Sequence, residues 1–328
     1  MKVWKSFLVL LLITLPSLAG ARGRLSTRQG RGRFFPSRQA YDQSGTVVLD
    51  LSYDFSVPGE THRISFVVVL PENIPDRQRI LSAHYSPKPT RIFHKNGNRY
   101  AEFAFVEPKE RARVRIRIKA ELFGYDLLTA MKKRNSGPLE EEELADFLIQ
   151  ERYIEKDHDL IKEIADGIEG RTETELVSNI YDYVIDHMEY ANPSRSSRGA
   201  VAALERGKGD CTEYADLFVA VCRAKGIPAR VVTGYTVRFD AESPKHNWVE
   251  VYLQQYGWVP FDPSTGDIEH PVIRGRAFSR MRPVYIYLSH LRNDEVLGDY
   301  SFGAYAYRGD KPRFKESVDF KFLLLSIP

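Results

Sequence analysis

What the chain lacks narrows its nature first. Of 328 residues only two are cysteine, which excludes a scaffold stapled by several disulfides. Net charge is +3, from 47 basic and 44 acidic side chains. That balance argues against a dedicated nucleic-acid binder, whose phosphate contacts need concentrated Lys and Arg. Beyond the N-terminus no apolar run approaches the ~20 residues needed to span a bilayer. His-Glu-x-x-His, paired-cysteine motifs and an acidic twelve-residue calcium loop are all missing, so no metal or other cofactor is expected. What is present is 43% hydrophobic and 12% aromatic side chains, enough to fill the cores of two domains.

The first residues combine basic Lys2 and Lys5, an apolar stretch from Phe7 to Leu15, and small residues at Ser17-Leu18-Ala19 and Ala19-Gly20-Ala21. This order reads as a secretory signal peptide over residues 1–21, with export to a periplasmic or extracellular space. Residues 22–40 form a linker; six Arg without an acid lie between Arg22 and Arg38. Such a run is foremost a solvated, flexible arm, and secondarily a contact for an anionic cell surface.

From residue 41 to 125 the pattern is that of strands. TVVLDLSYDFSV, HRISFVVVL, RYAEFAFV and RARVRIRIKAEL are apolar or alternating, and HKNGNR marks a hairpin. An antiparallel, sandwich-like domain without chemistry of its own is expected there. Residues 126–290 change period. Leu144, Phe147 and Leu148, then Leu160, Ile161, Ile164 and Ile168, predict helices. Thr172 and Glu175 form a capping box ahead of a helix whose core face is expected to hold Leu176, Ile180, Tyr183, Val184 and His187. Strands return in ARVVTGYTVRF, HNWVEVYLQ, GWVPFDP and PVYIYLSHL. The class is α+β, with residues 291–328 as a C-terminal extension.

Both cysteines fall in CTEYADLFVAVCRAKGIPAR, one helix ending near Gly226. Eleven residues of helix rise about 16 Å, whereas disulfide-bonded Cα atoms lie within about 7 Å. Cys211 and Cys222 therefore cannot bond each other. Cys222 fits a core position. Cys211 opens the helix after Gly207, Gly209 and the N-cap candidate Asp210. Unpaired N–H groups and the positive dipole end favour a thiolate there and could also stabilise an oxyanion. A thiol working on acyl groups also needs an imidazole, held by a further group. His246, opening HNWVEVYL, and Asp262, closing GWVPFDP, are the candidates, although local spacing alone does not pick out which His meets the thiol. If Leu253 and Trp258 flank the hairpin turn, Asp262 falls opposite Val249, on the other face from His246. A bulge or wider loop near Pro260 is then expected.

The strings GKGDCTEYADLFVAVCRAKGIPARVVTGY and HNWVEVYLQQYGWVPFDPSTG resemble the transglutaminase-like superfamily, especially its exported bacterial members, over about residues 170–266. The resemblance implies a papain-like core, a nucleophile helix packed on an antiparallel sheet. It assigns Cys211 as nucleophile, His246 as general base and acid, and Asp262 as orienting carboxylate. Tyr190 is a candidate for supporting the oxyanion. Trp248 and Trp258 are candidate walls of a substrate groove, against the alternative that they are core. The implied substrate is a protein or peptide amide, without nucleic acid. Hydrolysis by a peptidase or amidase is slightly favoured over transamidation, since nothing visibly supplies an amine site. A cross-linking transglutaminase and a catalytically silent cell-surface scaffold are the alternatives.

Overall fold

The computed structural model describes residues 44–133, 141–191, 197–238 and 243–326. The expected signal peptide and Arg-rich linker lie outside them. The chain opens with six antiparallel strands: β1 Ser44–Ser56, β2 Thr61–Leu70, β3 Gln78–Ser86, β4 Arg91–Lys95, β5 Asn98–Val106 and β6 Arg111–Phe123. Strict alternation explains β1 and β6. In β6, Val114, Ile116 and Ile118 are buried while Arg115 and Arg117 are exposed, because successive side chains face opposite sides of the pleat. The β4–β5 hairpin turns at Asn96 and Gly97, whose φ of 50° and 79° are the left-handed pair that a two-residue turn requires.

A short strand β7, Tyr125–Asp126, leads into α1 Leu127–Lys133, α2 Glu141–Ala145, α3 Asp159–Gly167, α4 Glu173–His187, β8 Glu189–Tyr190, α5 Ala200–Arg206, β9 Lys208–Gly209 and α6 Cys211–Ala224. The core sheet follows as β10 Ala229–Thr236, β11 Lys245–Leu253 and β12 Gly257–Phe261. Then come α7 Pro271–Ser279, β13 Arg280–Met281, β14 Tyr285–Ser289, β15 Gly303–Gly309 and β16 Arg313–Ser326. The larger sheets run β16-β1-β6-β3, β15-β2-β5-β4 and β12-β11-β10-β14. Their strands pair antiparallel. The architecture is thus α+β: two four-stranded sheets sharing one apolar core, and a helical layer on a third sheet.

β15 and β16 come from the C-terminal segment and occupy one edge of each sandwich sheet, β15 against β2 and β16 against β1. The third sheet joins both cores. Val249, Val251, Val259 and Phe261 pack with the helices, whereas Tyr235, Ile286 and Leu288 enter the sandwich core. Polar contacts clamp the same junction, where buried Arg77 donates to Glu250 at 3.1 Å and to the Trp258 carbonyl at 2.6 Å. A second, half-buried cation, Arg230, meets the other Glu250 oxygen at 2.6 Å, so the carboxylate stays ionised well below its usual range despite burial.

Two helix expectations shift in detail. α2 stops at Ala145, after which Phe147 and Leu148 donate to carbonyls three residues back; Phe147 instead packs edge-on against Trp258 at 4.8 Å. Thr172 caps α4 by accepting from Glu175 N–H at 3.1 Å, but the buried face is Val177, Ile180, Tyr181, Val184 and Ile185. It is rotated about one position from the expected one. Tyr183 stacks on exposed His187 at 3.8 Å at the rim.

Candidate active site

The thiol sits where helix chemistry puts it. Asp210 caps α6, accepting from Thr212 N–H at 2.8 Å, while the Glu213 carboxylate accepts from Asp210 N–H at 3.0 Å, a reciprocal capping box. The cap engages the N–H groups of Thr212 and Glu213, which withdraws them from any oxyanion. From Glu213 to Arg223 the helix is buried on every side, its charged Asp216 paired with Arg292 at 2.6 Å. Cys211, at the open end, is half-buried, and both cysteines are free. Burial pushes the Cys222 thiol far up, leaving it an inert core residue.

His246 lies near the start of β11, directly across from Gly234 on β10. A Cβ at Gly234 would stand 2.0 Å from the Ile286 carbonyl oxygen and 2.6 Å from the Trp248 ring. The missing side chain therefore lets Trp248 slide under the neighbouring strand. Trp248 is fully buried and packs edge-on against Tyr285 and Tyr287, at 5.0 and 4.8 Å. Its ring lies nearly parallel to His246 at 6.1 Å. It lies as a floor beneath the imidazole.

Asp262 follows β12, and the hairpin brings it round without a bulge. Leu253 pairs with Gly257, and Gly257, at φ 70°, closes a three-residue loop in which Tyr256 N–H donates to the Leu253 carbonyl at 2.9 Å. The ladder is therefore offset by one residue from the pairing expected between Leu253 and Trp258. Val249 faces Phe261, so Asp262 follows opposite Trp248, on the His246 face and one diagonal step away. The outcome is a hydrogen bond of 2.8 Å between His246 Nε2 and Asp262 Oδ2.

The carboxylate is saturated with donors. Oδ2 also accepts from Thr265 Oγ1 at 2.6 Å and Tyr285 OH at 2.7 Å. Oδ1 accepts from Ser264 Oγ and Thr265 N–H, both at 3.0 Å. Burial alone would raise its pKa; His246 and Thr265 overcome this and hold it well below the ordinary carboxylate range. Burial likewise lowers His246, but Asp262 first and Cys211 second push it up to about 10. Cys211 stands close enough to the imidazole to raise its pKa. With Nε2 taken by Asp262, Nδ1 is the nitrogen left for sulfur. Imidazole and carboxylate thus form a hydrogen-bonded pair beside the thiol.

The remaining expected residues separate. Tyr190 is half exposed on β8, which pairs with β9 just ahead of Cys211; its ring lies 6.2 Å from Tyr214. It borders the helix tip. Trp258 does not. It pairs with Tyr252, six residues along β11 from His246, or roughly 20 Å at strand rise. There it is covered by the Arg230 guanidinium at 3.9 Å. The Asp262 donors escaped sequence reasoning. Ser264 and Thr265 carried a local signal, an Asp followed by hydroxyls in a turn. Tyr285 carried none, because it arrives from β14 across the sheet. Among the described residues no group of His, Cys, Asp and Glu could hold a metal ion.

A helix with a thiol at its tip, packed on an antiparallel sheet that carries an imidazole and a carboxylate, is a papain-like arrangement. Residues 162–263 match the transglutaminase-like superfamily, so this stretch of the chain is similar to the core of that superfamily. A solved candidate cysteine protease from Cytophaga hutchinsonii shares the fold with a TM-score of 0.61 at 18% identity, over 87% of this chain and 93% of that one. A peptide-N(4)-(N-acetyl-beta-glucosaminyl)asparagine amidase from Oryza sativa is 30% identical over 26% of this chain and 18% of the relative. A protein-glutamine gamma-glutamyltransferase from Pseudomonas aeruginosa is 39% identical over 17% and 10%. The chain thus spans under a fifth of the length of either curated relative.

Proposed function

We propose that the protein is a thiol acyl enzyme acting on amide or peptide bonds, with Cys211 as nucleophile, His246 as proton carrier and Asp262 as its orienting carboxylate. The observation that carries this reading is the 2.8 Å His246–Asp262 bond beside Cys211. Sγ attacks the carbonyl carbon, and the new C–S bond leaves negative charge on oxygen. Collapse breaks the C–N bond, and the departing nitrogen takes the proton from His246 Nδ1. Acylation neutralises sulfur and so removes one of the two charges that hold the imidazole near 10. The imidazolium becomes a stronger acid as the amine needs its proton. In the second half His246 takes a proton from the resolving nucleophile, and the C–S bond breaks.

Water as that nucleophile makes the enzyme a peptidase or amidase, the outcome we favour; a lysine amine makes it cross-link. The substrate is a protein or peptide amide. Tyr190, at the helix tip, is the candidate for supporting the oxyanion, and Cys211 N–H is the remaining first-turn donor. The N-terminal residues direct the chain out of the cytoplasm, with the Arg-rich arm as a contact for anionic surfaces. Among the described residues no helix is long and apolar enough to cross a membrane. The test is mass spectrometry of the protein trapped with a pool of peptide amides. An acyl adduct on Cys211, absent from Cys211→Ala, supports the reading. Turnover by Cys211→Ala overturns it.

A further inference from the structure

α6 and β11 each carry one half of the thiol–imidazole pair, and the contact between them is largely apolar. Val249, Val251 and the buried residues of α6 share one core. Such packing is favourable but non-directional, so it does not by itself fix the position of the helix tip along the strand. One polar link does. Asn247, the residue after His246, donates from Nδ2 to Thr212 Oγ1 at 2.9 Å, and Thr212 is the residue after Cys211. The Asn247 carbonyl oxygen accepts from Thr233 Oγ1 at 2.8 Å, and Thr233 is its direct cross-strand partner on β10. Asn247 and Thr233 are 8% and 4% exposed. Water therefore competes weakly for these groups, and an unmade bond is costly.

We infer that Asn247 is a positioning residue that sets the Cys211–His246 geometry by tying the first turn of α6 to β11. The inference rests on the triad reading. The chain Thr233 to Asn247 to Thr212 is directional. With Thr233 Oγ1 donating to the side-chain amide oxygen, the donor left on Asn247 is its NH2 group. The NH2 group is then left aimed at Thr212. Both ends of the link sit one residue from a reacting group, so a slip of the helix tip passes to sulfur with little slack. Displacement of a reacting group by about 1 Å can cost on the order of a hundredfold in rate.

The experiment measures the iodoacetamide alkylation rate of Cys211 against pH in the full chain, alongside thermal stability. The proteins compared are wild type, Asn247→Ala, Thr212→Val, their double variant, Thr212→Ser and His246→Ala. Asn247→Ala and Thr212→Val are each expected to slow alkylation at pH 7 about tenfold and to reshape its pH profile. The double variant should be no slower than either single one, because both break the same link. Thr212→Ser should return the rate to within about twofold. Wild-type rates and pH profiles in Asn247→Ala and Thr212→Val, even with lowered melting temperatures, would reduce the link to a structural one and overturn the inference. The triad reading fails separately, if wild-type Cys211 reacts no faster than a model thiol or His246→Ala leaves its rate unchanged.

Discussion

Replacing Asp262 with Asn tests the electrostatics of the site most directly, because the surroundings dictate how the amide must sit. Oδ1 accepts from the backbone N–H of Thr265, a group that can never accept in return. The amide oxygen must take that place, which turns the NH2 towards His246 Nε2. Donation to Nε2 forces the imidazole proton onto Nδ1, the nitrogen facing sulfur, and the ring loses its ability to take the thiol proton. The charge effect adds to this. The imidazole now stands near 10, against an ordinary 6.5. Without the carboxylate the largest upward push is lost, burial acts against the cation, and the value falls. At pH 7.5 the imidazolium population then drops from essentially full. Alkylation of Cys211 should slow at least about tenfold, and kcat/KM by up to ~10⁴-fold if the tautomer effect is complete, as in the serine-protease Asp→Asn precedent. Iodoacetamide labelling followed by intact mass reads the first effect cleanly, since Cys222 is buried. A folded Asp262→Asn protein labelled at the wild-type rate across pH 6–9 refutes the argument.

Cys211→Ala should abolish turnover, whereas Cys222→Ala should keep it and lose only about 1 kcal/mol through a small cavity; activity and denaturant melts separate the two. The His246–Asp262 pair also shapes stability against pH. His246 is raised from 6.5 to about 10, so its contribution is full below pH 6.5 and disappears as pH rises through 10. Asp262 is depressed below 3.8, so its contribution is present above that value and declines in acid. The melting-temperature gap between wild type and His246→Gln should therefore narrow towards pH 10, and a constant gap would contradict the assignment. Gly234→Ala places a methyl against the Ile286 carbonyl and should cost about 1–3 kcal/mol while disturbing Trp248 beneath His246. An unshifted melt would show that the strand yields freely.

Legibility in the sequence followed the locality of the cause. β1, β2 and β6 announce themselves because one face of each is buried, and alternation records that directly. Asn96-Gly97 and Thr172 act within a turn of themselves, so their roles can be read from neighbours. The helix expected around Leu144, Phe147 and Leu148 stops at Ala145, and Phe147 packs on the Trp258 ring, a partner far along the chain. Trp248 and Trp258 look alike in sequence, yet one lies under the imidazole and the other far along the sheet. Only register separates them. Asp262 turned on one residue of that register, decided by the left-handed φ of Gly257. Tyr285 and Asn247 act through partners on other elements, and no local pattern marks them.

The placement of β15 and β16 bears on the order of folding. Ser44 pairs with Ser326, so the sandwich contains contacts that close nearly the whole described length of the chain. Such contacts carry a large loop-closure cost and form slowly. The thiol-bearing segment draws most of its core from within about a hundred residues, α3 through β12, with β14 and Tyr285 joining it afterwards. A growing chain can thus assemble the reactive half early, while both sandwich sheets keep an open edge until the last strands arrive. Chaperones that guard unpaired edges would find their targets there during synthesis, and a mild truncation at the C-terminus would leave both edges exposed to aggregation.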